Sequence, residues 1–239
     1  MTDEIALVTG ASKGIGYAIA AGLADRGMTV LIGSRDARQR DAAVRQLGSA
    51  QGIELDVTDP ATLAAAAKTI AERYGRLDVL VNNAGITGNE RQIPGSGDAA
   101  AEVRRVFEVN VLGVVAVTEA MLPLVRRSPA GRVVNVSGRA GSLTAMAAPD
   151  GELADLPPLL GYPASKAALN AITLQYAKHL RGDGILVNAV CPGPTATEGN
   201  GFTGERTPEQ AAVVAVRMAT LGDDGPTGTF TSEEGPIAW

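Results

Sequence analysis

The feature that most constrains this chain is the alternation of short, almost continuously apolar runs with longer alanine-rich stretches. Ile5–Thr9, Thr29–Gly33, Gly52–Leu55, Leu77–Val81, Arg132–Ser137 and Ile185–Cys191 are rich in β-branched residues and too short for helices. They lack the apolar–polar alternation of a strand with one wet face, so each is expected in a parallel sheet covered on both sides. Gly14–Arg26, Ala37–Leu47, Ala61–Tyr74, Ala99–Val125 and Tyr162–Leu180 read as the covering helices. Asp36 and Asp59-Pro60 suit helix starts. Gly27, Gly48, Gly75 and Gly182 fall at helix ends, where a left-handed residue stops a helix cheaply. Repeated strand–helix units with right-handed crossovers give a doubly wound α/β sheet with helices on both faces. A last edge strand near Gly228–Thr231 brings the strand count to about seven. No Pro/Gly/Ser-rich linker divides the chain, so residues 1–239 are expected to form a single domain.

Charge and rare residues exclude several functions. A net charge of −5 and 3% aromatics offer neither a phosphate-binding patch nor a base-stacking platform, so no nucleic-acid partner is expected. Cys191 is the only cysteine and His179 the only histidine, which excludes an intrachain disulfide and a cysteine metal cluster; no metal site is expected. The N-terminus, Met1-Thr2-Asp3-Glu4, has no basic region followed by an apolar stretch. The most apolar stretch, Val111–Val117, is too short to span a bilayer. A cytoplasmic protein without a membrane partner is the expectation.

The first strand runs into Gly10-Ala11-Ser12-Lys13-Gly14-Ile15-Gly16, and a helix follows. Glycines there let the backbone turn tightly and approach a pyrophosphate, whose charge the helix N-terminus favours. After the second strand comes Arg35-Asp36. An acidic residue would bond the ribose diol of NAD, whereas a cation accepts the 2′-phosphate of NADP. Arg35 and Lys13 converge on that position and favour NADP(H), with Asp36 read as a helix cap; NAD(H) stays possible. Asp56-Val57, after the third strand, fall where adenine would lie, and Asp56 equally suits a turn cap.

Further residues follow in a set order: Asn82-Asn83-Ala84-Gly85, Asn110, Ser137, Tyr162-x-x-x-Lys166 and Pro192-Gly193. With the glycine loop they resemble the short-chain dehydrogenase/reductase family over essentially the whole chain, and the carbonyl-reductase branch in particular. The resemblance implies a Rossmann-type sheet of order 3-2-1-4-5-6-7 and an NADP-dependent carbonyl reductase acting on a small-molecule ketone, aldehyde or secondary alcohol. It implies Tyr162 as acid/base, Lys166 tuning it and bonding the nicotinamide ribose, Ser137 holding the carbonyl, and Asn110 anchoring a proton-relay water. It also implies cofactor contacts from Asn83, Ala84, Gly85, Pro192, Gly193, Thr195 and Thr197. Asn83 reads equally as a strand-to-strand structural residue.

The chemistry suits these residue types. A phenol's ordinary pKa near ~10 is too high for easy proton exchange at neutral pH, and an ammonium one helical turn away would lower it. Pro163 fits a first helical turn and puts Tyr162 at the helix entrance. Ser137 and Tyr162 lie 25 positions apart, a longer gap than most of the family has. Ser142 is a nearer alternative, but Ser137 sits at the strand end. In the carbonyl reductases such an insertion keeps the protein monomeric; here both a monomer and a homo-oligomer are open. Substrate loops are expected at about 87–98, 138–161 and 192–208, the last glycine-rich (Gly199, Gly201, Gly204) and suited to a lid. The alternative is a non-catalytic dinucleotide-sensing or scaffold protein on the same fold; retention of both Tyr162 and Lys166 weighs against it.

Overall fold

The computed structural model describes residues 4–198 and 201–239. Seven strands form one sheet: β1 (Ile5–Thr9), β2 (Thr29–Ser34), β3 (Gln51–Glu54), β4 (Val79–Asn82), β5 (Arg132–Val136), β6 (Leu186–Val190) and β7 (Phe230–Thr231). The order is β3-β2-β1-β4-β5-β6-β7 and every pairing is parallel, as expected. The helices are α1 (Gly14–Ala24), α2 (Ala37–Leu47), α3 (Pro60–Tyr74), α4 (Ala99–Phe107), α5 (Gly113–Val125), α6 (Leu143–Ala147), α7 (Tyr162–Leu180) and α8 (Pro208–Ala219).

Successive strand residues serve opposite faces. Val8, Ile32, Val81 and Val134 pack under Ile19 and Leu23 of α1 and Val214 and Ala215 of α8. Their neighbours Leu7, Leu31, Leu80 and Val133 pack under Leu63 and Ile70 of α3, Val117 and Met121 of α5 and Ala177 of α7. Because both faces are covered, the strands need no polar side, which explains their continuous apolar runs.

The structure corrects the reading in three places. Helix α8 was not anticipated, although Thr207 and Gln210 form a capping box around Pro208 and so mark its start. Gly182 is not a left-handed stop: it lies inside a tight turn, Arg181–Asp183, and Gly184 takes φ +71° instead. Gly27, Gly48 and Gly75 do take positive φ. The single helix expected over Ala99–Val125 is interrupted by a π-helical turn, Glu108–Leu112. That helical run is long and apolar enough to cross a membrane by length and composition. Here Val106, Val114, Val117 and Met121 are buried in the domain's core and Asn110 is hydrogen-bonded at its centre.

The three expected substrate loops follow β4, β5 and β6 and so lie at the carboxyl edge of the sheet. The first contains a short turn, Glu90–Gln92; the second contains another, Arg139–Gly141, and α6. The second loop is tied down. Arg139 pairs with Glu152 at 2.5 Å and Glu234 at 3.4 Å. The Trp239 carbonyl accepts from the Thr144 hydroxyl at 2.8 Å. Gly199 and the Met1-Thr2-Asp3 segment lie outside the described residues.

Candidate active site

A cleft of about 660 Å³ opens at the carboxyl edge, where the strand order reverses between β1 and β4. This is the position at which open α/β sheets bind ligands. Its wall includes Gly10, Ser12, Lys13, Gly14, Ile15, Gly16, Arg35, Asp56, Val57, Asn83, Ala84, Gly85 and Thr197 from the expected set. It also includes Leu55, Ile86, Val109, Glu198 and Phe202, which sequence reasoning missed. Pro192, Gly193 and Thr195 are not part of that wall; the Thr195 hydroxyl donates to the Gly193 carbonyl at 3.0 Å, two residues before Thr197.

The glycine loop is built from close approaches. Gly10 takes φ +63°, and a Cβ there would stand 2.9 Å from Ala84 Cα. A Cβ at Gly16 would collide with the Gly10 carbonyl and the Asn83 amide. That amide donates to the carbonyls of Thr9 at 2.9 Å and Gly10 at 3.2 Å, so Asn83 does tie the two strand ends. The first amide of α1 with an intrahelical partner is Tyr17, at 3.3 Å from the Lys13 carbonyl. The amides of Gly14, Ile15 and Gly16 therefore form the anion-seeking end of the helix. A bare backbone cradle, a helix N-terminus and a volume of this size fit a dinucleotide.

At the far end of the cleft two cations are present, and each faces a carboxylate. Lys13 pairs with Glu198 at 2.5 Å and Arg35 with Asp56 at 3.8 Å. Asp36 caps α2, accepting from the Gln39 amide at 3.0 Å. Asp56 caps a turn through the Thr58 amide; that bond, reinforced by Thr58's hydroxyl and by Arg35, holds its carboxyl below the usual range.

Tyr162 opens α7, followed by Pro163, so it stands at the helix entrance as expected. Lys166, one turn on, is buried with its Nζ 5.7 Å from the Tyr162 ring centre and donates to the Val136 carbonyl at 2.9 Å. Nζ and the Asn110 Oδ1 both approach Gly85, where an added Cβ would stand 3.6 Å and 3.2 Å from them. Lys166 and Asn110 thus meet the cleft wall at Gly85, with the Tyr162 ring beside Lys166, although none of the three is itself part of that wall. The protein's own groups, however, shift the phenol the other way. Burial pushes the Tyr162 phenol up to about 12, with Cys191 acting in the same direction. Burial also pulls Lys166 down to about 8, against the influence of Cys191. Among the protein's own groups, burial is the main cause of the phenol's shift.

Asn110 sits in the π-helical turn, a distortion that displaces one residue of a helix and recurs at functional sites. Its Oδ1 accepts from the Ile86 amide at 2.8 Å, and its Nδ2 donates to the Ile86 carbonyl at 2.8 Å and Ser165 Oγ at 3.0 Å. It fixes the segment after β4 against α7.

The Ser137 hydroxyl turns toward the backbone of α7. The residue shares strand parity with Val133 and Asn135, the face that α7 covers, and its hydroxyl donates to the Lys166 backbone carbonyl at 3.5 Å. Ser142 is committed elsewhere, capping α6 by accepting from the Ala145 amide at 3.0 Å. The position that faces the Tyr162 hydroxyl is 138, a glycine.

Sequence reasoning also missed Gln92. Gly161 has no side chain to cap α7, and the Tyr162 amide donates instead to Gln92 Oε1 at 2.9 Å. Gln92 Nε2 donates to the Thr87 carbonyl at 2.8 Å, and its own carbonyl accepts from the Leu160 amide at 3.0 Å. One buried amide thus ties the first two substrate loops to the backbone of Tyr162. No short-range motif marks it, since its partner lies 70 residues away.

Comparison with known proteins agrees with this layout. The family model for short chain dehydrogenase matches residues 4–207. Short-chain dehydrogenase anuI of Penicillium roqueforti is 36% identical over 231 residues, covering 93% of this chain and 90% of that protein. Salutaridine reductase of Papaver bracteatum is 33% identical, covering 94% and 93%. That alignment runs over 290 positions against 239 residues here, so the plant enzyme carries segments this chain lacks. Among solved structures, an NADPH-bound carbonyl reductase from chicken fatty liver superposes with a TM-score of 0.86 at 26% identity, covering 100% of both chains.

Proposed function

We propose that this chain, which belongs to the short-chain dehydrogenase family, is an NADP(H)-dependent carbonyl reductase that interconverts a ketone or aldehyde and the corresponding alcohol. The observation that carries this reading is that Lys166 approaches both the Tyr162 ring and Gly85 of the cleft wall. The glycine loop with the α1 N-terminus would hold the pyrophosphate, and Thr197 and Lys166 would hold the nicotinamide end. When bound, the nicotinamide supplies the hydride for reduction.

Tyr162 supplies the proton. Its hydroxyl is protonated at neutral pH, as an ordinary phenol is, and burial keeps it so; it donates to the carbonyl oxygen as that oxygen gains charge. Lys166 remains largely protonated at pH 7 and stabilises the phenolate left behind. Asn110 supports proton relay by fixing the segment between Ile86 and Ser165 beside Lys166. In the reverse direction the phenolate accepts the alcohol proton.

The preference for NADP(H) is supported by Lys13 and Arg35 on the cleft wall, where a 2′-phosphate would displace Glu198 and Asp56 as their partner. The printed description of the chicken enzyme, NADPH-bound carbonyl reductase, points the same way. A cytoplasmic setting and one domain over residues 1–239 accord with the lone, buried Cys191 and the unbroken sheet.

The test is NADPH oxidation against a panel of ketones, aldehydes and quinones, with Tyr162→Phe as control. Turnover that Tyr162→Phe abolishes supports the reading. Tight NADPH binding with no turnover on any substrate overturns it in favour of a dinucleotide sensor.

A further inference from the structure

A glycine is usually kept for its backbone or for close packing. Gly138 is not needed for its backbone. Its φ of −171° and ψ of 157° are extended and open to any residue. An added Cβ would meet one group only within 4 Å: the Tyr162 hydroxyl, at 3.2 Å. The two nearby hydroxyls are turned away, Ser137 to the Lys166 carbonyl and Ser142 to the start of α6. The flank of the proposed proton donor is therefore open on the side of position 138.

We propose that Gly138 is the specificity-determining residue of this site: it clears the flank of the Tyr162 hydroxyl so that a carbonyl carrying a bulky, apolar substituent can reach the proton donor. A methyl group at 138 would occupy the space through which such a substituent passes, while a slim carbonyl would still reach the hydroxyl. The loop that begins at Gly138 carries Leu143, Met146, Leu156 and Leu160 as exposed apolar side chains.

The inference rests on Tyr162 being the acid/base group, and the experiment separates the two. Gly138→Ala and Gly138→Ser are compared with the unmodified enzyme and with Tyr162→Phe. Each is assayed with NADPH on propanal and on 3,3-dimethylbutan-2-one, whose carbonyl bears a tert-butyl group. NADPH affinity is read from cofactor fluorescence, and the melting temperature is recorded. The extended backbone predicts that both variants fold and bind NADPH as before. One misplaced methyl group is worth about tenfold or more in discrimination. Both variants should lose about that factor in kcat/KM on the branched ketone and keep their activity on propanal. Gly138→Ser should keep propanal turnover at least as well as Gly138→Ala, because its hydroxyl can share the substrate oxygen. Equal losses on both substrates, or none on either, overturn the inference while Tyr162→Phe remains inactive. Loss of NADPH binding in both variants also overturns it, since the glycine would then serve packing. If Tyr162→Phe still turns over, the reading beneath it fails first.

Discussion

Replacing Gln92 by alanine removes an acceptor for the Tyr162 amide and a donor to the Thr87 carbonyl, both from a side chain that is 2% exposed. Each buried backbone group left without a partner costs about 1–3 kcal/mol. The neighbouring Glu90 and Arg91 are exposed, so water can reach part of the gap and moderate the cost. A loss of about 2–4 kcal/mol in urea unfolding is expected. The effect on turnover should be larger than stability alone dictates, because the freed amide belongs to Tyr162. A displacement of about 1 Å at a reacting group can lower the rate about a hundredfold. The expected result is a fall in kcat of that order, little change in KM and unchanged NADPH affinity, since Gln92 is not on the cleft wall. Gln92→Glu keeps the acceptor for Tyr162 while losing the donor to Thr87, and should recover most of kcat but not all of the stability. If Gln92→Ala loses the stability but not kcat, α7 holds Tyr162 without it. If kcat and NADPH affinity fall together, the whole edge has collapsed and the positioning argument is wrong.

The remaining predictions concern charge and capping. Lys166, held near 8 by burial, loses its proton as pH rises through that value, so kcat/KM for reduction should be level below about pH 8 and fall above it; a reduction profile level to pH 10 would refute this. The same shift makes folding stability rise between pH 8 and 10.5, where the unfolded chain binds a proton that the folded one does not, a trend urea titrations at several pH values would reveal. Glu198→Gln frees Lys13 for a 2′-phosphate and should tighten NADPH relative to NADH, by at most about fivefold because an exposed pair is worth up to ~1 kcal/mol. Asp36→Ala removes the α2 cap and should cost about 1 kcal/mol in thermal unfolding without favouring NAD; a swing towards NAD would show that Asp36 does more than cap.

The sheet was legible because its cause is local. Continuous apolar runs such as Ile5–Thr9 occur where both faces of a strand are covered, and the parallel order follows from the helical crossovers between them. Asp36 and Asp59 were legible as helix starts because capping acts over two or three residues. Helix α8 announced itself by the same means, through Thr207, Pro208 and Gln210, but the glycines just before it drew the segment into the lid. The π-helical turn was not legible. No residue in Glu108–Leu112 forbids an ordinary helix; the turn coincides with the buried bonds of Asn110 to Ile86 and Ser165, and those partners are remote in sequence.

The candidate site divides along the same line. The Tyr162–Lys166 pair is legible because a spacing of four on a helix fixes a common face, whatever the rest of the fold does. Position 137 is different. A hydroxyl at the end of a strand is visible in the sequence, but which side it serves depends on how far the strand's ladder runs. Here the Ser137 amide still bonds the Val190 carbonyl at 2.8 Å, so 137 keeps the parity of Val133 and Asn135 and faces α7. The next residue is then the one presented to the phenol, and it carries no hydroxyl to attract attention. A site can be defined by a missing side chain as much as by those present, and that absence becomes visible only when Gly138 is placed 3.2 Å, by its virtual Cβ, from the Tyr162 hydroxyl.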